Sequence, residues 1–307
     1  MTSPLASTQV APAALAARRW RANPAYAFIL PAIALLALVL LVPLGDVFYL
    51  SVHTDGSGGT LQFAGLSNYR QFLNDPMFWN AVRNTAIFTV GSVTLHLLLG
   101  MGAALLLNRK ILGRTVFRVI ALVPWMFSSV VVAVLWNWMY SPQFGVVNDI
   151  LDRLGFHSAA EIAWLGELNL AMPSVIFANA WRGFPFVMIM ILAGLQTIPR
   201  EEYEAADVDG ASGLAAFRYV TLPHLRFVIG IAVILDSIWT FRYFDLIQVM
   251  THGGPANATE VLVTLVFRNS FEYFKFGYAS AIAVVTFLIL LVFTLLYVRI
   301  LLAEERR

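Results

Sequence analysis

The sequence contains no cysteine, which excludes disulfides, zinc–thiolate sites and iron–sulfur clusters held by thiolates. Lysine is nearly absent as well. Only Lys110 and Lys275 occur, preceded by Arg109 and Phe274, so no Gly-Lys phosphate-binding loop can be written. Any nucleotide-driven work must therefore come from another polypeptide. Charge is scarce overall: 12% of residues are Asp, Glu, Lys or Arg, against about 25% in a soluble domain. A net charge of +2 is too small to indicate a nucleic-acid partner. The five histidines, His53, His96, His157, His224 and His252, are scattered without metal-ligand spacing. Neither a catalytic constellation, a metal site nor a cofactor site is read from the chain. His96 is expected in a hydrogen-bonded packing role between helices.

What the chain has instead is apolar length. Hydrophobic residues make up 59% of it, and the mean hydropathy is +0.75. A membrane-spanning helix needs about 20 mostly apolar residues. Six segments qualify, near 26–51, 81–108, 116–140, 171–196, 222–250 and 276–302. The fold class expected is an all-α membrane protein with six transmembrane helices. The apolar run after Arg18, Arg19 and Arg21 is longer than a signal-peptide core and is read as a retained first span. Residues 1–24 are expected to form a disordered tail, 25–302 the transmembrane domain and 303–307 a second tail. Thirteen of the twenty Lys and Arg residues lie at ends that the positive-inside rule assigns to the cytoplasm. Both termini and the 197–221 loop are then cytoplasmic. The loops near 52–80, 141–170 and 251–275 face outward.

Ionisable residues within a span are costly and mark functional candidates. Here they are Arg182, Asp236, Arg242 and Asp245. Helical spacing places Asp236, Thr240 and Tyr243 on one stripe, with Trp239 beside it. A carboxylate, a hydroxyl and aromatic faces suit a sugar, and Asp236 is read as lining a solute pathway, with a buried structural bond as the alternative. Arg182 and Asn137 are further pathway candidates. Arg242 and Asp245, three apart, are expected to pair. Trp125, Trp136 and Trp138 read as interface or packing residues.

The segment 197–221 is too polar to span. Pro199 suits a helix start, and Glu201 and Glu202 sit where a helix dipole favours anions. Gly210 breaks the pattern, and Ser212 is a cap for a second short helix. A helix, a turn and a second helix along the cytoplasmic face are predicted, with Leu222-Pro223 opening the fifth span.

Within this segment Glu204-Ala205-Ala206-Asp207, with three residues between Ala206 and Gly210 and nine between Gly210 and Val220-Thr221-Leu222-Pro223, resembles the ATPase-docking loop of ABC importer permeases. Val220 stands where that family usually shows Ile. Gly65-Leu66-Ser67-Asn68-Tyr69, Asp75-Pro76-Met77-Phe78-Trp79, Asn84-Thr85, Gly145 with Asn148, and Trp164-Leu165-Gly166 extend the resemblance. So do Trp181-Arg182-Gly183-Phe184-Pro185-Phe186, Ala193-Gly194-Leu195-Gln196, Phe244-Asp245, Thr251-His252-Gly253-Gly254-Pro255 and Gly277-Tyr278-Ala279-Ser280-Ala281. It covers about residues 20–302 and is similar to carbohydrate-uptake permeases of the first-subunit type. The resemblance implies a bacterial inner-membrane, multi-pass permease subunit that translocates a sugar-like solute by alternating access. It implies four kinds of partner: two copies of an ATPase, a second homologous permease, a periplasmic or lipid-anchored solute-binding protein and membrane lipid. Glu204, Ala205, Ala206, Asp207, Gly210, Leu222 and Pro223 are then the ATPase-coupling residues. The competing reading is an ion-coupled secondary transporter using Asp236 and Asp245. It gives the 197–221 segment no role, and the expected internal repeat is not evident. A non-transporting scaffold leaves the intramembrane charges unexplained.

Overall fold

A computed structural model describes residues 25–55, 60–109, 111–157 and 161–304; the tail expected over 1–24 lies outside them. The chain divides into two units, 1–46 and 47–307. Helix α1 (Ala25–Ser51) tolerates Pro31 and Pro43, as membrane helices do. Two short strands, β1 (His53–Asp55) and β2 (Leu61–Phe63), pair antiparallel as a hairpin. They are followed by α2 (Ser67–Leu73) and α3 (Pro76–Asn108). The start of α3 is fixed locally: Asp75 accepts the Met77 amide at 2.9 Å, and Pro76 follows at the first helical position, where its missing N–H costs nothing.

The third apolar segment is not one helix. It is α4 (Arg114–Met126) and α5 (Ser129–Met139), bent by 97° at the break between them. Pro124 lies inside α4, and Phe127 and Ser128 adopt extended backbone. Pro124 removes the helical hydrogen bond to the turn before it, and the chain leaves the helix three residues beyond, at Phe127. The short α6 (Val146–Arg153) precedes α7 (Ala171–Leu195). Then come α8 (Arg200–Val208), α9 (Gly213–Ala216), a π-helical turn (Phe217–Thr221) and α10 (Leu222–Phe241). The chain ends with α11 (Asp245–Thr251), α12 (Leu262–Phe267), a second π turn (Arg268–Glu272) and α13 (Phe276–Glu304). Among the described residues five helices are long and apolar enough to cross a membrane, or six with the bent pair counted as one span.

The centre of the larger unit is α3 packed along α7, with α10 against both. Small residues permit the close approach. A Cβ on Gly100 of α3 would meet the Met188 amide of α7 at 2.9 Å, and one on Gly194 would meet Leu225 of α10 at 2.8 Å. Ala104, Met188, Ile191 and Leu225 fill this seam. Apolar side chains remain exposed along α3, α4, α5 and α13, the inverse of a soluble surface.

Several motif residues prove to be ties in the layer that joins the helix ends. Asn68 donates to the Ser51 and His53 carbonyls at 3.0 and 2.8 Å. Asn84 donates to the Asn257 and Glu260 carbonyls, and Thr85 accepts the Leu262 amide. Trp164 donates to Asn148 at 2.6 Å. Glu260, fully buried, meets Arg268 at 2.6 Å. Burial pushes the Glu260 carboxyl above its ordinary range, while Thr264 and Arg268 pull it back.

The fifth span also differs from expectation. It begins at Gly213 and ends at Phe241, rather than covering 222–250. The π turn lies directly ahead of Pro223. A wider turn there accommodates the ring that an α-helical hydrogen-bond ladder would reject.

Candidate functional site

A cavity of about 430 Å³ opens between α4, α7 and the α10–α11 corner, with His96 of α3 in its wall. It gathers Asp236, Trp239, Thr240, Tyr243 and Arg182, five of the six pathway candidates. It also takes in Arg242 and Asp245. Asn137 is not among its residues. Its amide donates to the Val249 carbonyl at 3.1 Å and ties α5 to α11.

Asp236 is buried and does not stand alone. Its Oδ2 lies 2.7 Å from His96 Nδ1, and His96 Nε2 lies 3.0 Å from the Asn179 carbonyl. The side chains of His96 and Asp236 are 2% and 7% exposed. Proton bookkeeping follows from the partners. The carbonyl can only accept, so Nε2 carries a hydrogen. The proton on the other contact sits on Nδ1 or on the carboxyl. In both arrangements the pair is net neutral, as burial demands. His96 is hydrogen-bonded, as expected, and it also lines the cavity. Gly183 explains the fit: a Cβ there would run into the His96 ring.

One wall is aromatic. Phe186 lies 4.7 Å from Trp239 and 6.3 Å from Trp125 between ring centroids. Trp125, read as an interface or packing residue, also lines the cavity. Trp136 does pack, against Tyr140, Phe177 and Trp181. The opposite side is cationic. Arg182 sits 5.4 Å over the Tyr243 ring and donates from Nε to the Phe127 carbonyl at 3.2 Å, a carbonyl freed by the α4–α5 break. Tyr243 reaches the cavity from beyond the end of α10, not from a helical stripe. Arg242 and Asp245 form no ion pair among the described residues. Asp245 accepts from Ser129 Oγ at 2.9 Å instead, because the chain leaves the helix after Phe241 and the three-residue spacing loses its meaning. Two buried polar atoms of cavity residues, Thr240 Oγ1 and Asn179 Nδ2, have no partner within the protein.

The second region is the 197–221 segment. It forms a helix and a turn, with Gly210 at φ +77°, a left-handed conformation that favours glycine. Ser212 accepts the Ala215 amide at 3.3 Å as the cap of α9. No residue of α8 is buried. Val208, Leu214 and Tyr219 are 87%, 78% and 75% exposed. One difference from expectation matters: α9 is not a separate surface helix. It continues through the π turn into α10 as one helical run from Gly213 to Phe241.

No local pattern joins His96 to Asp236, which lie 140 residues apart along the chain. Asn179, Ser129 and Phe186 also line the cavity, and of these only Phe186 shares a sequence motif with Arg182.

Comparison with known proteins agrees with this architecture. Residues 96–306 match the model of the family described as "Binding-protein-dependent transport system inner membrane component". The trehalose/maltose transport system permease protein MalF of Thermococcus litoralis is 37% identical over 276 residues, covering 90% of this chain and 92% of that protein. The diacetylchitobiose uptake system permease protein DasB of Streptomyces coelicolor is 36% identical over 299 residues, covering 95% and 90%. A chain of a bacterial alginate ABC transporter, crystallised in complex with an alginate pentasaccharide-bound periplasmic protein, superimposes with a TM-score of 0.76. It is 23% identical and covers 89% of this chain and 92% of that one; that likeness is one of fold. The family is one of transport components named for their dependence on a binding protein, which gives the ion-coupled alternative no support. From its second span to its last helix, and across nine-tenths of its length against curated permeases, this chain belongs to the inner-membrane components of binding-protein-dependent transport systems.

Proposed function

We propose that the chain forms one half of the solute path of an ATP-driven importer for a sugar or sugar-like solute. The cavity is suited to such a cargo. Asp236 and Asp245 accept from hydroxyls, Arg182 and Arg242 donate, and Trp125, Phe186 and Trp239 cover apolar C–H faces. Thr240 and Asn179 supply the polar atoms that have no internal partner, and such buried atoms are satisfied by solvent or solute. The names of the permeases for trehalose/maltose and diacetylchitobiose support the same class of cargo.

The chain itself is non-catalytic in this reading. Two copies of a separate ATPase hydrolyse ATP, and one grips Glu204, Ala205, Ala206, Asp207 and Gly210. A second, homologous permease completes the path. A periplasmic or lipid-anchored binding protein delivers the solute to the outer loops. Both termini and the 197–221 loop lie on the cytoplasmic side of the inner membrane. ATPase closure turns the helices from inward-facing to outward-facing, and hydrolysis resets them.

The observation that carries this reading is mechanical continuity. The C-terminal part of the exposed loop, from Gly213, continues as one helical run into the helix that bears Asp236. From Gly213 to Asp236 the rise is about 35 Å at 1.5 Å per residue. A push on α9 therefore travels along one helical run to the buried pair, and α8 acts on that run through the turn at Gly210. The test is uptake of a labelled sugar panel by cells carrying the whole transporter with Glu204→Lys or Gly210→Pro. Uptake is expected to vanish while the protein still inserts. Normal uptake by both variants refutes the coupling role.

A further inference from the structure

A second cavity, of about 420 Å³, lies where α3 and α7 end and where α4 and α8 begin. It is lined by Arg114, Arg118 and Arg200, with Asn108, Gln196 and Tyr203 between them. No acidic residue lines it, and none of the three arginines forms an ion pair among the described residues. One Arg118 nitrogen is engaged, donating from Nη2 to the Leu107 carbonyl at 3.1 Å. That bond anchors the guanidinium. Its Nε is buried and has no partner, although a buried donor at a charged group is costly to leave unmade. Two helices open at the pocket, α4 at Arg114 and α8 at Arg200, and neither has a side-chain cap for its first amides. Helix N-termini carry partial positive charge. Three guanidiniums, two uncapped helix starts and two side-chain amides thus converge on one concavity with no internal counter-charge.

We infer that this pocket binds a phosphate group, held by Arg114, Arg118 and Arg200. Guanidiniums match phosphate oxygens through paired N–H donors. The amides of Asn108 and Gln196 add neutral donors, and Tyr203, whose hydroxyl is 2.9 Å from Thr221 Oγ1, closes the side toward the π turn. The pocket sits at the ends of two spanning helices, the level at which phospholipid headgroups lie, and it is open to solutes as well. The phosphate can thus belong to an anionic phospholipid or to a free phosphate. An occupant there bridges α3, α4 and α7 to α8, the helix that carries Glu204.

The experiment uses the whole transporter reconstituted in nanodiscs. In discs containing phosphatidylglycerol, native mass spectrometry is expected to show one phosphatidylglycerol retained per copy of this chain under conditions that strip phosphatidylcholine. In pure phosphatidylcholine discs, calorimetric binding of inorganic phosphate identifies a free-phosphate site instead. Retention or binding is expected to weaken by about tenfold or more in the Arg114→Gln/Arg118→Gln variant, the loss of at least one charge-assisted contact. Raising salt from about 0.1 M to 1 M, which shortens the screening length from about 10 to 3 Å, is expected to weaken it in the wild type. Neither lipid retention nor phosphate binding, or binding unchanged in a correctly assembled variant, overturns the inference. Where that variant fails to assemble, wild-type binding that ignores salt overturns it.

Discussion

Replacing His96 and Asp236, singly and together, separates a structural pair from a solute-binding one. Asp236→Val leaves His96 bonded to the Asn179 carbonyl and strands its other ring nitrogen. That costs about 1–3 kcal/mol for a buried unmade hydrogen bond. His96→Leu likewise strands a carboxyl of which 7% is exposed, at about 1–3 kcal/mol where the carboxyl holds the proton and about 3–5 kcal/mol where it stays charged. Adding Asp236→Val to it restores much of the loss, since an apolar pair leaves nothing unsatisfied. The coupling energy also reads the position of the shared proton. A neutral interhelical hydrogen bond in a membrane protein averages about 0.6 kcal/mol and reaches about 1.7; a larger coupling requires an ion pair. Reversible unfolding of the purified transporter in detergent micelles gives the cycle, and uptake measured alongside gives the function. The double variant is expected to recover stability and not transport, because the carboxylate facing the solute is gone. Losses that add to within about 0.5 kcal/mol refute the pair as a unit. Recovery of transport with stability refutes Asp236 as a solute contact.

Gly183→Ala is expected to cost about 1–3 kcal/mol by overpacking, because its Cβ collides with the His96 ring; in a His96→Ala background, where the ring is gone, the same substitution should cost little further in the same unfolding assay. Arg268→Met removes the partner of buried Glu260 and is expected to destabilise by roughly 3–5 kcal/mol. Its pH dependence has a definite sign. Burial already raises the Glu260 carboxyl, and losing Arg268 raises it further, so the folded state holds the proton more tightly than the unfolded one. Stability is then present below the ordinary glutamate range and falls as pH rises through the raised value. Melting of Arg268→Met should show a larger deficit at pH 8 than at pH 5; the opposite order refutes the assignment. Trp239→Ala opens the aromatic wall beside Phe186 and is expected to weaken solute binding with little change in stability, as read by transport concentration dependence and unfolding together.

Much of this protein was legible without coordinates. Length and apolarity give the spans, because a lipid interior leaves few alternatives to a helix that satisfies its own backbone. The 197–221 segment was legible for the converse reason, since Glu201, Glu202, Glu204, Asp207 and Asp209 cannot lie in lipid. Gly210 and Ser212 stated its turn and cap through local chemistry alone. Local rules fail where they meet a tertiary constraint. The third span was read through Pro124, although proline sets only a weakened turn and the packing decides the 97° bend. Tyr243 and the Arg242–Asp245 pair were placed by helical spacing, which lapses once α10 ends at Phe241.

The sequence by itself determined class, spans, the polar loop and the family, since each rests on composition or on neighbours along the chain. Only the tertiary structure decided that His96 meets Asp236, that Trp125 faces the cavity while Asn137 does not, and that α9 and α10 are one lever. It alone brought Arg114, Arg118 and Arg200 to a single pocket. Those are contacts between residues remote in sequence, and their chemistry exists only after helix packing has set the distances.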